Sequence, residues 1–470
     1  MRSQPSLTEG SIPRALAVFS LPILLGNVLQ SVNGSVNSVW VGKFLGAAAF
    51  AAVGNSNGVM FLLFGVIFGL SMATTIQVAQ AVGAQNEREA KRVVGTSAVF
   101  FLAVSLLMAI AGAAATPELL RALSTPPDAL APALAYMRII FLALPFMGGL
   151  FYVMAVLRGA GDSRTPFKYL ALSVALDIVL NPLLIFGAGP LRGLGIAGSA
   201  LATLIAQSVS LLALLLHLYR VRHPLCIRRG ELDLLVVDWS LVRVLLVKGV
   251  PMGLQLLVVS SSMLALTKLV NRFGSQEMAA FNAAMQLWNY VQMPALAIAA
   301  AVSSMVAQNV GAGRWDRVAR VARTGVLFNL VSGGVLIGLV DGFNRSALAL
   351  FLPSSGAALD IAVRVNFIVV WSFALFGISI VLFGVVRATG AVVAPLLMLL
   401  LALWGVRVPF AYLMVDRWQA DGIWWSFPVA AVVSATLAAS YYRFGDWRHA
   451  RMGVPVREAG RAAPAPESVG

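Results

Sequence analysis

Apolar runs of about twenty residues recur from one end of this chain to the other. Hydrocarbon offers the backbone no hydrogen-bond partner. A segment that crosses it must therefore satisfy its own N–H and C=O groups, as a helix does. Twelve runs read as spans: 15–40, 48–74, 94–115, 132–157, 167–187, 194–219, 245–270, 279–308, 321–342, 359–386, 393–416 and 422–443. Composition agrees, because 59% of the 470 residues are hydrophobic and only 11% are charged, against about 25% charged in soluble domains. The runs are continuous and do not alternate with period two, which argues against a membrane β-barrel. The expected fold is an all-α polytopic membrane protein of twelve helices, with no room for a soluble domain.

The formal charge of +15 is explained by topology. With both termini in the cytoplasm, 24 of the 34 Lys and Arg residues fall on the inner side, as the positive-inside rule requires. A bacterial inner membrane is the expected location. The basic residues are split among short loops without a continuous stripe, which argues against nucleic acid as a partner. In NEREAK and RWDRVAR they can reach lipid phosphates, so membrane lipid is an expected partner. The N-terminus lacks a short apolar region with a small-residue cleavage site, so the first span reads as a retained anchor. The lone cysteine, Cys226, excludes an intrachain disulfide and a cysteine-rich metal site. The tail REAGRAAPAPESVG is polar and rich in Pro and Ala, the composition of a disordered segment.

The chain is also written twice. VAQAVGAQNEREAKRV (78–93) matches VAQNVGAGRWDRVARV (306–321) at eight of sixteen positions. An offset of about 228 also relates Pro22 to Pro251, LRGAGDSRTP (157–166) to VRATGAVVAP (386–395), and LGIAGSA (194–200) to DGIWWSF (421–427). Each repeat holds six spans, an even number, so both enter the membrane in the same sense. Two pseudo-symmetric six-helix bundles around a central cavity follow. The expected organisation is a cytoplasmic N-terminus (1–14), an N-terminal lobe (15–219), a cytoplasmic connector (220–244), a C-terminal lobe (245–443) and a cytoplasmic tail (444–470). Such a cavity can be built within one chain, so a monomer suffices. Two similar bundles suit alternating access.

One acidic residue is deep. Asp177, in LDIVLNPLLIFG (176–187), lies about 15 Å from either end of its span. An ionised carboxylate at that depth costs about 2.5–3.5 kcal/mol on insertion scales, so it must take a proton or find a cation and hydrogen-bond partners. Asn181 shares its helix face. Pro182 frees backbone oxygens nearby and favours a bend. Ser199, Thr203 and Gln207 form a polar stripe on span six, and Asn27, Gln30, Asn33 and Asn37 lie along one side of span one. Spans one, five and six can thus pool Asn37, Asp177, Asn181 and Thr203, hard oxygen ligands suited to H⁺ or Na⁺ and not to a soft metal. In the second half, span eight carries Asn282, Gln286, Asn289 and Gln292 with Met285, Trp288, Tyr290 and Met293 among them. Met and aromatic surfaces repack around varied ligands and attract organic cations. Asn282, Gln286, Asn289, Met285 and Met293 are the candidate substrate wall.

These segments resemble the multidrug and toxic compound extrusion (MATE) family of antiporters over residues 14–443. The resemblance rests on LPILLGNVLQSVNGSVNSVWVGKFLG, VAQAVGA, LRGAGDSRTP, LDIVLNPLLIFG and GLGIAGSALAT, in that order and duplicated. It implies export of amphipathic, often cationic compounds in exchange for inward H⁺ or Na⁺, with no other cofactor. It also implies a cation site in the N-terminal lobe, carried onto Asn37, Asp177, Asn181 and Thr203, and a helix-bending role for Pro22. Two departures stand out. The span-one position is Asn37 where members often have Asp, and the Asn/Asp pair of span five is swapped. One negative charge instead of two weakens the case for tight Na⁺ binding and favours H⁺.

A flippase for a lipid-linked precursor is the alternative. It needs basic residues in the cavity, and the candidates Lys268, Arg138 and Arg407 read as lying near outer helix ends. An intramembrane enzyme needs His clusters or paired acids at depth, and the three His residues lie at or beyond inner helix ends. No enzymatic activity is expected.

Overall fold

A computed structural model of the chain describes residues 7–122, 125, 127–188, 191–353 and 356–453. The segment 457–470, expected to be disordered, lies outside the described residues. The N-terminal half comprises α1 (Ile12–Val39), α2 (Gly46–Gly83), α3 (Glu87–Ala122), α4 (Pro127–Gly159), α5 (Arg164–Phe186) and α6 (Ile196–Arg220). The C-terminal half comprises α7 (Trp239–Val270), α8 (Ser275–Gly311), α9 (Trp315–Gly342), the short α10 (Asn344–Leu348), α11 (Ala357–Val369), α12 (Ser372–Thr389), α13 (Val393–Leu400), α14 (Val408–Trp418) and α15 (Ala420–Phe444). Among the described residues, twelve helices are long and apolar enough to cross a membrane. The chain is an integral membrane protein. A two-residue antiparallel pairing, Gly187–Ala188 with Leu191–Arg192, closes the turn from α5 to α6.

Two details differ from the simple span pattern. The tenth span is broken: α11 ends at Val369 and α12 starts at Ser372. Polar side chains at the break compete for backbone and for each other. The Ser372 hydroxyl donates to the Val369 carbonyl at 2.6 Å, while buried Asn366 accepts from the Trp288 indole at 3.0 Å and donates to Asn344 at 3.1 Å. Wider π-type turns also occur at Trp40–Leu45, after α1, and at Leu401–Arg407, between α13 and α14.

Local chemistry sets the turns. In GAGDSRTP, Gly161 adopts φ +93°, a region open to glycine at no steric cost. The Asp162 carboxylate then accepts from the amides of Arg164 and Thr165 at 2.9 and 3.0 Å, satisfying free donors at the start of α5. Asp238 caps α7 in the same manner, accepting from the Ser240 amide at 2.8 Å. The Ser240 hydroxyl and the Arg92 guanidinium hold its carboxyl well below the usual carboxylate range. Together with the Lys91–Glu231 pair at 2.7 Å, this ties the connector to α3. Trp239 and Val236 remain 75% and 72% exposed there, as suits a segment lying at a membrane surface.

The halves meet along α2, α7, α8 and α1. α8 is central and α9 peripheral: 67% of the most apolar stretch of α8 is buried inside the protein, against 11% for α9. The hydrogen bonds joining the halves gather at the end that carries the chain termini. Gln80 of α2 donates to the Ala388 carbonyl at 2.7 Å, and its repeat mate Gln308 of α8 donates to the Gly159 carbonyl at 2.9 Å. Asn309, Arg314 and Arg317 hold the backbone of Leu7–Gly10, and the tail returns so that Gln77 reaches the Met452 carbonyl at 3.4 Å. Helix backbones touch here. A Cβ on Gly83 would lie 1.9 Å from the Gln308 carbonyl oxygen, and one on Gly311 would lie 2.0 Å from that of Gln80.

A Gly311→Val substitution is therefore expected to push the halves apart at this end, at an overpacking cost of about 1–3 kcal/mol. Spin labels on cysteines placed at Gln85 and Gly313, in a Cys226→Ser background, should report longer distances in the variant. An unchanged distance distribution would show that the contact does not hold this end closed.

Candidate functional site

Close helix contacts bring three spans onto Asp177. A Cβ on Gly26 of α1 would lie 3.0 Å from Leu170 of α5, so these helices run close together. Asn33 and Asn37 follow Gly26 after seven and eleven residues, near-whole numbers of turns, and therefore face α5 as well. On the other side, a Cβ on Gly198 of α6 would lie 2.3 Å from the Leu184 carbonyl oxygen. That approach brings Thr203 up to α5. α1 and α5 run as helices through Pro22 and Pro182.

Asp177 is 3% exposed and Asn181 is fully buried. Four side chains donate to the carboxylate. Asn33 and Asn37 reach Oδ2 at 2.9 and 2.8 Å. Thr203 reaches Oδ1 at 3.0 Å, with Asn181 at 3.5 Å. Asn181 also donates to Asn37 Oδ1 at 2.9 Å, which locks the two amides together. This is the hydrogen-bonding pattern of an ionised carboxylate, which only accepts and has about four lone-pair sites. All four donors are neutral, and among the described residues no Lys, Arg or His pairs with Asp177. Two amide oxygens in the same cluster, Asn33 Oδ1 and Asn181 Oδ1, are buried without a partner. The site thus combines one uncompensated negative charge with unused hard oxygens, a set that fits a proton or Na⁺.

The four residues expected from the sequence, Asn37, Asp177, Asn181 and Thr203, do come together. Asn33 was visible as part of the span-one polar side, but nothing in the sequence singled it out from Asn27 and Gln30.

The expected wall on α8 divides. Asn282 and Asn289 are exposed, and Gln286 and Met293 half-buried. Asn282 and Gly311 are separated by about eight full turns and share one helix face. That face meets α2 at its Gly311 end. Its open continuation through Asn282, Gln286, Asn289 and Met293 therefore lies toward the space between the halves. Met285 sits on the flank and packs against the cluster containing Leu266, Phe281 and Trp288. Trp288 does not join the open stripe. It is 1% exposed and committed to Asn366, because an indole N–H buried in an apolar core needs an acceptor.

Known proteins resemble this chain over nearly its whole length. A model of the MatE family matches residues 22–183 and again 251–413, once in each half. The chain is 38% identical over 439 residues to the probable multidrug resistance protein YoeA of Bacillus subtilis, covering 93% of this chain and 95% of that protein. It is 26% identical over 451 residues to the probable multidrug resistance protein NorM of Thermotoga maritima, covering 93% of each. Among solved structures, a MATE protein in the straight conformation superposes with a TM-score of 0.87 at 21% identity, covering 94% of this chain and 98% of that one.

Replacing Asn33 with Leu removes one charge-assisted donor from Asp177. The expected cost is about 1.5–3 kcal/mol. It should appear as a lowered thermal unfolding midpoint of the purified protein, larger than that of Gln30→Leu on the exposed side of α1. Equal midpoints for the two variants would show that Asn33 contributes nothing to holding the carboxylate.

Proposed function

The chain belongs to the MatE family, and from that premise we propose that it is a secondary active transporter that exports amphipathic, often cationic compounds in exchange for inward H⁺ or Na⁺, with Asp177 as the coupling carboxylate. The observation that carries this reading is the buried Asp177 held by neutral donors alone. A carboxylate paired with an arginine would be permanently neutralised. This one changes its net charge whenever a cation binds or leaves.

The hydrogen-bond chemistry supplies a switch. Bound H⁺ turns one Asp177 oxygen from acceptor into donor, so one of the surrounding groups must become an acceptor. The Thr203 hydroxyl can rotate. The Asn33 amide can turn over and offer its unpartnered Oδ1. Na⁺ would draw on the same oxygens. Either ion therefore re-sorts hydrogen bonds that span α1, α5 and α6, and so biases how the N-terminal helices pack. To move the cavity from mostly one side to mostly the other, the two packings must differ in ligand affinity by about 5.5 kcal/mol in total.

The lobes 15–219 and 245–443 are the two bodies that rock, and the end closed by Gln80 and Gln308 is the cytoplasmic gate. The relatives named as multidrug resistance proteins support a broad substrate range. The open polar stripe on α8 faces the space where such a substrate would sit. Coupling through a single carboxylate favours H⁺.

Proteoliposomes loaded with a fluorescent organic cation test this directly. A pH gradient should drive efflux in the wild type, and Asp177→Asn should abolish the gradient-driven component while leaving the protein folded. Efflux driven only by a Na⁺ gradient would reassign the coupling ion. Gradient-driven efflux retained in Asp177→Asn would overturn the role of this residue.

A further inference from the structure

The sequence placed Arg407 near an outer helix end, and the structure corrects this. Arg407 closes the π-type turn Leu401–Arg407, eleven residues before the end of α14, and is 5% exposed. Its depth along the helix is about 16 Å. The guanidinium lies over the Phe427 ring of α15, 3.7 Å from its centroid. Its one hydrogen bond goes to the Met263 thioether of α7 at 3.6 Å. Nε is buried without a partner. The arginines that pair with acids in this half, Arg320, Arg345 and Arg364, are all exposed. Among the described residues, Arg407 has no carboxylate partner.

Its position repeats that of the N-terminal site. The offset of 229 that relates Pro22 to Pro251 and Arg158 to Arg387 also relates Ile178 to Arg407 and Gly34 to Met263, and the match of LGIAGSA to DGIWWSF relates Ala200 to Phe427. The three-helix corner formed by α1, α5 and α6 around Asp177 thus returns as α7, α14 and α15 around Arg407. One half holds an uncompensated carboxylate there. The other holds an uncompensated guanidinium.

A buried unpaired charge is costly. The aromatic face returns part of that cost, yet it supplies no hydrogen-bond acceptor, and a thioether is a weak one. A planar fork with unused donors is suited to one partner above others, an anion bound through two parallel hydrogen bonds.

We propose that Arg407 is an anion subsite of the C-terminal half, taking a single negative charge supplied either by the carboxylate of an amphipathic substrate or by free chloride. The substrate range then includes zwitterionic and anionic amphiphiles as well as cations. This rests on the transport reading above, but equilibrium binding tests it without requiring transport.

Two fluorescent probes separate the possibilities: a dansyl amphiphile ending in a carboxylate and the same chain ending in trimethylammonium. They are titrated onto the purified protein in chloride-free gluconate buffer. Arg407→Gln should weaken the carboxylate probe about tenfold or more, the loss of hydrogen bonds to a charged group, and leave the trimethylammonium probe within about twofold. Arg407→Lys keeps the charge without the fork and should fall between. It also carries the test if the Gln variant does not fold. Chloride that competes with the carboxylate probe and raises the wild-type melting temperature, with neither effect in the variants, identifies the free ion as an occupant. Equal carboxylate affinity in wild type and both variants, with no chloride effect on the wild type, overturns the proposal. So does a parallel loss of both probes in Arg407→Lys, which would mark Arg407 as a packing residue.

Discussion

Two glutamine side chains and two glycines seal one end of the two bundles. Gln80 and Gln308 each leave their own half to reach a carbonyl at the end of a helix in the other. They can do so only because Gly83 and Gly311 let the backbones of α2 and α8 come into contact. A helix end has carbonyls that its own turns cannot satisfy, and here they are buried. The crossed amides satisfy those carbonyls, so the closure is hydrogen-bonded as well as packed. The N-terminal segment and the tail extend the same contact, with Leu7 and Met452 each at least 97% buried between the bundles.

Closure at one end defines the space at the other. The α8 face that is sealed near Gly311 runs on as an open polar stripe, and α1 carries its asparagines to α5 on the N-terminal side of that space. Interfaces packed this tightly are bistable and not continuously deformable. On the proposed mechanism, a small change in hydrogen bonding at Asp177 would be expressed as a shift between two arrangements of the bundles, and the glycine contacts are the surfaces that would separate.

The duplication has not kept the two halves chemically equal. The seal is symmetric because both copies must present the same complementary surface to each other. Among the described residues the three-helix corners share no such seal, so the packing there does not require them to match. One corner became a polar network around Asp177, and the other an aromatic and sulfur pocket around Arg407. A carboxylate and a guanidinium at neighbouring repeat positions give the two halves different side-chain chemistry on one scaffold.

The sequence by itself determined the number of spans, their duplication and the singularity of Asp177. Each of these is a consequence of the hydrocarbon solvent, which demands apolar runs of fixed length and makes any deep charge conspicuous. It also singled out Asn181 and Thr203, because a helical spacing of four is readable without a structure. Other features were decided only by tertiary packing. Asn33, and not Asn27 or Gln30, faces the carboxylate because α1 meets α5 at Gly26. Trp288 turns into the core because Asn366 offers an acceptor, and the tenth span breaks beside that pair. Arg407 is buried because α7 and α15 close over it. A linear pattern records which residues share a helix face. It does not record which neighbour that face meets, because that is set by the rotation and crossing of helices packed through contacts distant in the chain.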